Sequence, residues 1–164
     1  MTEAQPEIVF YQPSLKSNFK ELNYEWLSRY FFVTKEDEKI LSNPEKIIDE
    51  GGCVLFVKFQ HEIAGTCALI KESDEEYEVA KMAVTEKFQG RKIGQFLMHA
   101  IIEEARKRRA KIVSLDTANE LKSAIKLYSK FGSIKTSEER IHPLFGRKTF
   151  RMELRLPDLS PDTI

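Results

Sequence analysis

The order of predicted elements indicates an α/β fold in which a sheet of mixed direction carries helices on both faces. A strand and a group of helices come first, three strands follow, and a helix, a strand, a helix and two strands complete the chain. Of the 164 residues, 41% are hydrophobic and 32% charged, as is typical of soluble globular proteins. We expect a single domain over residues 1–156, followed by a flexible polar tail at 157–164.

Charge and cysteine content narrow the classes of function. The 26 basic and 26 acidic residues cancel, whereas a dedicated nucleic-acid binder needs a basic surface. Cys53 and Cys67 lie in apolar segments, so we expect buried thiols in a reducing compartment. The three histidines are far apart in sequence, and no metal site is predicted. Without a secretory signal or a bilayer-spanning apolar run, we expect a cytoplasmic protein with no membrane or nucleic-acid partner.

The N-terminal third is predicted to hold one strand and three helices. The strand covers residues 7–12, which are rich in β-forming residues and end at a proline. Start signals for the helices are an N-cap serine, a weak capping box and an Asn-Pro pair, found at Ser14, at Thr34 with Asp37, and at Asn43–Pro44. The first helix has apolar residues at spacings of three and four, which indicates an amphipathic helix.

The remaining elements follow from apolar runs, turn residues and helical periodicity. A tight gap at Gln60–His61 separates two apolar runs and predicts a β-hairpin. Gly132 marks the end of the last helix. One predicted helix follows Gly94 and a second covers 121–132. The predicted strands cover residues 53–60, 62–71, 77–84, 112–117, 133–140 and 148–156.

A Gly-flanked basic turn joins the strand at 77–84 to the longest amphipathic helix. It reads Gln89-Gly90-Arg91-Lys92-Ile93-Gly94. Backbone N–H groups and the positive end of the helix dipole bind phosphate well at such a junction, and Arg91 and Lys92 can add charge. A lysine at position 92 indicates that a positive φ is not required there. We interpret the turn as an anion site for a phosphorylated cofactor; an ordinary surface turn is the alternative.

In three places the sequence resembles the GNAT superfamily of N-acetyltransferases. KMAV followed by TEKFQGRKIG is similar to the pyrophosphate motif Arg/Gln-x-x-Gly-x-Gly/Ala, with Gln89, Gly90 and Gly94 fitting it and Lys92 replacing the middle glycine. AIKLYSKFG is similar to the family's A-I-x-L-Y-x-x-x-G-F segment, with Tyr128 at the tyrosine and Ser133 replacing the phenylalanine. FRMELRL resembles the family's closing strand. The resemblance covers nearly the whole chain and implies a mostly antiparallel GNAT-like sheet and acetyl-coenzyme A as cofactor.

The resemblance also implies which residues contact the cofactor. The end of the strand would lie along the pantetheine arm, and the basic turn would bind the pyrophosphate. Leu121 stands where many members carry an asparagine, and Asn119, two residues earlier, is the candidate replacement. The cofactor-binding residues expected from the resemblance are Met82, Ala83, Val84, Gln89, Gly90, Arg91, Lys92, Ile93, Gly94 and Asn119.

Two residues match positions that carry catalytic roles in the family. Glu78 would accept a proton from the amine through water, since an ammonium with a pKa near 10 must lose one before attack. The alternative is that Glu78 belongs to an acidic, solvated turn with Glu75 and Glu76. The Tyr128 hydroxyl would protonate the departing thiolate; the alternative is an ordinary core aromatic. Neither cysteine matches a nucleophile position, so we expect direct transfer in a ternary complex.

The acceptor is predicted only as a small-molecule or peptide amine. The aromatic cluster from Tyr24 to Phe32 lies in the segment that builds the acceptor side in the family. His142 is either part of a substrate mouth or a solvated loop residue, and His99 is expected to be partly buried. A catalytically inactive acyl-coenzyme A sensor is the alternative function. A third possible function is RNA binding through the basic run 106–111. Whether the protein forms a homodimer is left open.

Overall fold

A computed structural model describes residues 5–157. The strands are β1 (Glu7–Phe10), β2 (Cys53–Phe59), β3 (Glu62–Lys71), β4 (Glu76–Val84), β5 (Ile112–Thr117), β6 (Ile134–Lys135), β7 (Arg140–Ile141) and β8 (Lys148–Arg155). The helices are α1 (Lys16–Tyr30), α2 (Lys35–Leu41), α3 (Pro44–Asp49), α4 (Ile93–Lys107) and α5 (Lys122–Lys130). Short 3-10 turns cover Pro13–Leu15 and Glu86–Phe88.

The eight strands form one sheet in the order β1-β2-β3-β4-β5-β8-β6, with β7 paired to β8. All pairs are antiparallel except β4 with β5, which are parallel. The predicted α/β fold with a mixed, mostly antiparallel sheet is therefore confirmed. No helix of residues 5–157 is long and apolar enough to cross a membrane.

Two hydrophobic clusters, one on each face of the sheet, form the core. In β2, Leu55 and Val57 pack into a cluster with Leu97 of α4, while Phe56 packs into a second cluster with Phe19 of α1. Because β2 is buried on both faces, its sequence is a continuous apolar run rather than an alternating one. Helices α4 and α5 thus cover one face, and α1 to α3 cover the other.

The parallel neighbours β4 and β5 separate after three residues. Their pairing covers only Glu76–Glu78 with Ile112–Ser114. The register of β4 against β3 then shifts, so that Lys81 and Met82 together lie opposite Cys67, and Lys81 adopts a φ of 54°. Such a bulge bends the strand and increases its twist. Beyond the bulge β4 stays with β3 while β5 stays with β8, which opens a gap between the two halves of the sheet.

Most predicted start signals and turns are confirmed. Thr34 and Asp37 form a capping box at the start of α2, and α3 begins at Pro44. Gln60 and His61 have φ values of 50° and 67°, as in the two-residue turns that favour hairpins. Cys53 and Cys67 are free and buried, and burial raises the pKa of both thiols.

Three local predictions are wrong. Ser14 does not cap α1, because it lies inside the 3-10 turn that precedes that helix. The strand expected at 133–140 consists only of the short β6 and β7. The Ser137 hydroxyl accepts a hydrogen bond from the Arg151 N–H at 2.9 Å. This side-chain oxygen takes the place of a main-chain carbonyl, and the pairing of β6 with β8 stops there. His99 is exposed on the outer side of α4. Residues 158–164 of the expected tail lie outside the described part of the chain.

Candidate functional site

A cavity of about 500 Å³ lies where β4 and β5 separate. Its walls come from six parts of the fold: the end of α1, helices α2 and α3, the end of β3, the bulged part of β4, the end of β5 with α5, and the loop before β8 with the start of that strand. Of the aromatic residues predicted for the acceptor side, Trp26 and Phe31 line this cavity, whereas Phe32 is 90% exposed.

Glu78 lines the cavity and is the last residue of β4 that pairs with β5. Burial and the carboxylates of Asp116 and Glu72 raise its pKa to about 7, although Lys81 and Arg151 act in the opposite direction. Glu75, by contrast, is exposed in the turn before the strand. A carboxyl group with a pKa near 7 can both accept and release a proton at neutral pH, which is the property that a general base needs.

Tyr128 lines the same cavity from α5 and packs against the core cluster of that face. Burial and the nearby Cys67 raise the pKa of its hydroxyl to about 12. The hydroxyl therefore keeps its proton at neutral pH and can act as a hydrogen-bond donor. The structure thus brings Glu78 and Tyr128, 50 positions apart in sequence, to one cavity.

The end of β4 presents an unpaired backbone edge to the gap. Met82 lines the cavity, Ala83 is buried, and Val84 packs against the core. Since β5 pairs with β4 only as far as Glu78, the backbone groups from Val79 to Val84 that point towards β5 have no strand partner there. This edge can accept or donate hydrogen bonds to an extended ligand.

The basic turn leaves a row of backbone donors unused. None of the N–H groups from Gly90 to Gln95 donates to an acceptor within residues 5–157, and Gln89 to Lys92 are exposed. Ile93 is buried and fixes the first turn of α4 against the core. Free N–H groups at the N-terminus of a 15-residue helix form a favourable site for an anion.

The conformation of Lys92 differs from expectation. Its φ of 60° and ψ of 25° lie in the left-handed region, so the prediction that a positive φ is not required there is wrong. The chain enters α4 at this residue and must reverse direction after Gly90, whose φ is 81°. Lysine thus adopts the backbone conformation that glycine adopts most easily.

Asn119 does not line the cavity. Its exposed side chain donates a hydrogen bond to a Glu139 carboxylate oxygen at 2.6 Å. Leu121, at the family's asparagine position, does line the cavity. The structure therefore offers no contact of Asn119 with the site, and its role stays a prediction.

Three charged residues that the sequence did not bring together form a cluster beside the cavity: Asp37, Lys81 and Arg147. Asp37 is fully buried and accepts hydrogen bonds from the backbone N–H and the hydroxyl of Thr34, both at 2.9 Å. Lys81 Nζ lies 3.1 Å from Asp37 Oδ1, and Arg147 pairs with Asp37 Oδ2. A lysine next to the apolar end of β4 was the only signal of this cluster in the sequence.

His142 belongs to the cavity wall. Its Nδ1 accepts hydrogen bonds from the backbone N–H groups of Leu144 and Phe145 at 3.1 and 3.4 Å, which assigns the proton of the neutral ring to Nε2. Nε2 lies 3.5 Å from Asp116 Oδ2. Burial lowers the pKa of His142 despite Asp116, so the neutral form is favoured. The other oxygen of Asp116 is buried without a partner among the described residues.

The family model described as the acetyltransferase (GNAT) family matches residues 20–133, which is more than half of the chain. No curated protein sequence matches the chain. This family match spans β4, the basic turn, α4, β5 and α5, and so contains Glu78 and Tyr128.

Solved structures of several bacterial acetyltransferases share the fold. A GNAT-family acetyltransferase from Staphylococcus aureus Mu50 has a TM-score of 0.80 at 21% identity, covering 93% of this chain and 100% of its own. The ribosomal-protein-alanine N-acetyltransferase of Brucella melitensis gives 0.75 at 17%, covering 92% and 99%. A GNAT-family acetyltransferase from Elizabethkingia anophelis with acetyl-CoA bound gives 0.67 at 19%, covering 92% and 98%. At these identities the similarity concerns the fold.

Proposed function

Because the chain belongs to the acetyltransferase (GNAT) family, we propose that it acetylates a primary amine by direct transfer from acetyl-coenzyme A in a ternary complex. The observation that carries this proposal is that Glu78 and Tyr128 line one cavity at the gap between β4 and β5. Acetyl-coenzyme A supplies the activated acetyl group as a thioester. The buried thiols with raised pKa values are poor nucleophiles, which favours direct transfer over an acyl-enzyme.

The residues present fit the cofactor. The unused N–H groups between Gly90 and Gln95 and the positive end of α4 suit a pyrophosphate, and the side chains of Arg91 and Lys92 add two positive charges. The unpaired edge of β4 at Met82 to Val84 suits an extended arm that contains amides. We assign the backbone of Gln89 to Gly94 and of Met82 to Val84 to cofactor binding.

Glu78 is assigned as the general base. An acceptor amine is an ammonium at neutral pH, with a pKa near 10, and must lose a proton before it can attack. With a pKa of about 7, Glu78 is substantially ionised at pH 7 and can accept this proton directly or through one water molecule. The neighbouring carboxylate of Asp116 favours binding of the cationic amine at this end of the cavity.

Tyr128 is assigned as the hydrogen-bond donor to the leaving sulfur. Burial raises the pKa of the Tyr128 hydroxyl to about 12, above the value of about 8.5 for a free thiol, which favours hydrogen-bond donation over complete proton transfer. The sequence-based hypothesis had Tyr128 protonate the thiolate. We propose instead that Tyr128 stabilises the developing negative charge through a hydrogen bond and leaves the final protonation to solvent.

Cofactor binding at the basic turn is tested by substituting Gly94. A β-carbon at Gly94 would meet only Leu127 Cδ2 at 3.5 Å, an ordinary contact, so Gly94→Ala should fold, and circular dichroism checks the fold of Gly94→Glu. We expect Gly94→Ala to keep its affinity for acetyl-coenzyme A in calorimetric titration. Gly94→Glu should lose at least about tenfold, because its carboxylate competes with the phosphates for the helix N-terminus. Equal affinity of the two variants would contradict the assigned site.

The Tyr128→Phe variant tests the assignment at the sulfur. We expect kcat to fall by about 10- to 100-fold, since one hydrogen bond to a developing charge is lost. Affinity for acetyl-coenzyme A and thermal stability should stay close to wild type, because the ring still packs against the core. Thiol release measured with an amine panel gives kcat, and unchanged turnover would remove Tyr128 from the mechanism.

A further inference from the structure

Side chains of both charges line the cavity. The carboxylates of Glu78, Asp116 and Glu72 line it, and so do two cations, Lys81 and Arg147, which form its cationic end. Four further charged residues in or next to α2 and α3 also line it, and their charges cancel: Glu36, Lys39, Lys46 and Glu50.

The two cations of the cationic end share one directly paired counter-ion. Asp37 is the only carboxylate within residues 5–157 that forms an ion pair with Lys81 or Arg147, and it does not line the cavity. Asp37 Oδ2 accepts hydrogen bonds from the Thr34 N–H, the Thr34 hydroxyl and Arg147, and Oδ1 accepts one from Lys81. An ammonium has three N–H donors and a guanidinium five, so both cations keep donors that Asp37 does not use.

Donors of the cationic end stay without partners. Arg147 Nε is buried and makes no hydrogen bond within the described residues. The Thr149 hydroxyl, in a residue that is 9% exposed and lines the cavity, is also buried and unpartnered among them. Buried polar groups are normally satisfied, so these two donors are available to an acceptor that enters the cavity.

Aromatic rings reduce the exposure of these cations to water. Lys81 Nζ lies 4.2 Å from the centroid of the Phe145 ring, and the Arg147 guanidinium lies 5.0 Å from the same ring and 5.3 Å from that of Phe31. Charges beside apolar surface interact more strongly with an incoming anion than charges in bulk water. Burial lowers the pKa of Lys81, and a carboxylate bound beside it would oppose that shift.

We propose that the acceptor is a free amino acid with an apolar or aromatic side chain, whose carboxylate binds Lys81 and Arg147 while its amine faces Glu78. This inference rests on the proposed function. Trp26, Phe31 and Ile70 provide the apolar wall that the side chain would contact. A peptide N-terminus carries a neutral amide beside the amine and offers no carboxylate to Lys81 and Arg147, so a free amino acid fits the cavity better.

The inference is tested with three acceptors that share one side chain: phenylalanine, phenylalaninamide and phenethylamine. A leucine series, a diamine and a short peptide complete the panel. Thiol release at saturating acetyl-coenzyme A gives kcat/KM for each. We expect the amino acids to exceed their amides and decarboxylated amines by about 10- to 100-fold, which is the range for one charge-assisted, bidentate contact.

Two variants of the cationic end provide matched controls. Lys81→Met and Arg147→Gln each remove one of the two cations, and the remaining cation keeps the buried Asp37 carboxylate paired. Both are expected to reduce the preference for amino acid over amide to less than about threefold, with KM carrying most of the change. Circular dichroism reports whether each variant folds, and the wild-type ratios test the inference independently of the variants.

The outcomes separate this inference from the proposed function. Equal or better use of an amide, a diamine or a peptide overturns the amino-acid acceptor but leaves the acetyltransferase proposal intact. Acetyl-coenzyme A binding without consumption by any amine overturns both. Preference for the carboxylate in the wild type, lost in Lys81→Met and Arg147→Gln, supports both.

Discussion

Replacing Glu78 with glutamine is expected to lower kcat/KM at pH 7 by about 10²- to 10⁴-fold, the usual range for a general base. The substitution keeps the size of the side chain but removes the group that accepts the proton of the amine. In the wild type, kcat/KM should rise with pH through about 7, following ionisation of Glu78. In Glu78→Gln this rise should be absent, and affinity for acetyl-coenzyme A should be unchanged. A pH series of initial rates measures both effects.

Asp116→Asn is the control for the pH profile. Because the Asp116 carboxylate raises the pKa of Glu78, its removal should move the midpoint of the profile to lower pH.

The raised pKa of Glu78 also has a consequence for stability. Between about pH 4.5 and 7 the folded state binds more protons than the unfolded state, so Glu78 makes the fold less stable as pH rises through this window. Glu78→Gln should therefore be more stable than wild type at pH 8. Wild-type turnover by Glu78→Gln would contradict its role as base.

Replacing Asp37 with asparagine is expected to lower the free energy of unfolding by about 3–5 kcal/mol. The substitution leaves two buried cations, Lys81 and Arg147, beside each other without a counter-charge, and it weakens the capping box with Thr34. Chemical denaturation at pH 7 measures the loss. Asp74→Asn is the matched control: Asp74 is 97% exposed, and its ion pair with Lys71 at 3.3 Å should contribute less than about 1 kcal/mol.

The stability that Asp37 contributes should depend on pH in the opposite direction from Glu78. Burial raises the pKa of Asp37, but the Thr34 backbone hydrogen bond, Lys81 and Arg147 outweigh it and lower the pKa overall. Its contribution is therefore complete above an unfolded-state pKa of about 3.9 and is lost as pH falls through the lower folded-state value. Equal denaturation midpoints of Asp37→Asn and Asp74→Asn would show that the cluster does not stabilise the fold.

The elements of the fold could be predicted because their signals are local. The capping box at Thr34 and the hairpin turn at Gln60–His61 involve residues within four positions of each other. Glu78 and Tyr128 were identified by resemblance to a family, and their shared cavity follows from the order of the elements. The strand expected at 133–140 failed because the hydroxyl of Ser137, rather than a main-chain carbonyl, bonds to β8.

Features that depend on distant contacts could not be predicted. Arg147 and Asp37 are 110 positions apart, and no local pattern links them. Lys92 adopts the left-handed conformation although it is not a glycine, so residue type was misleading at this position. The bulge at Lys81 follows from the register between β3 and β4, which hydrophobic periodicity does not reveal.

The short pairing between β4 and β5 has a mechanical consequence. Only three residue pairs of the backbone ladder join the half-sheet β1-β2-β3-β4 to the half-sheet that contains β5 and β8, and the core cluster under α4 spans both halves. Asp37 and Lys81 belong to the first half and Arg147, in the loop before β8, to the second, so their ion cluster bridges the two. On the opposite face of the sheet from α4, these ion pairs therefore act as a cross-link between the two halves.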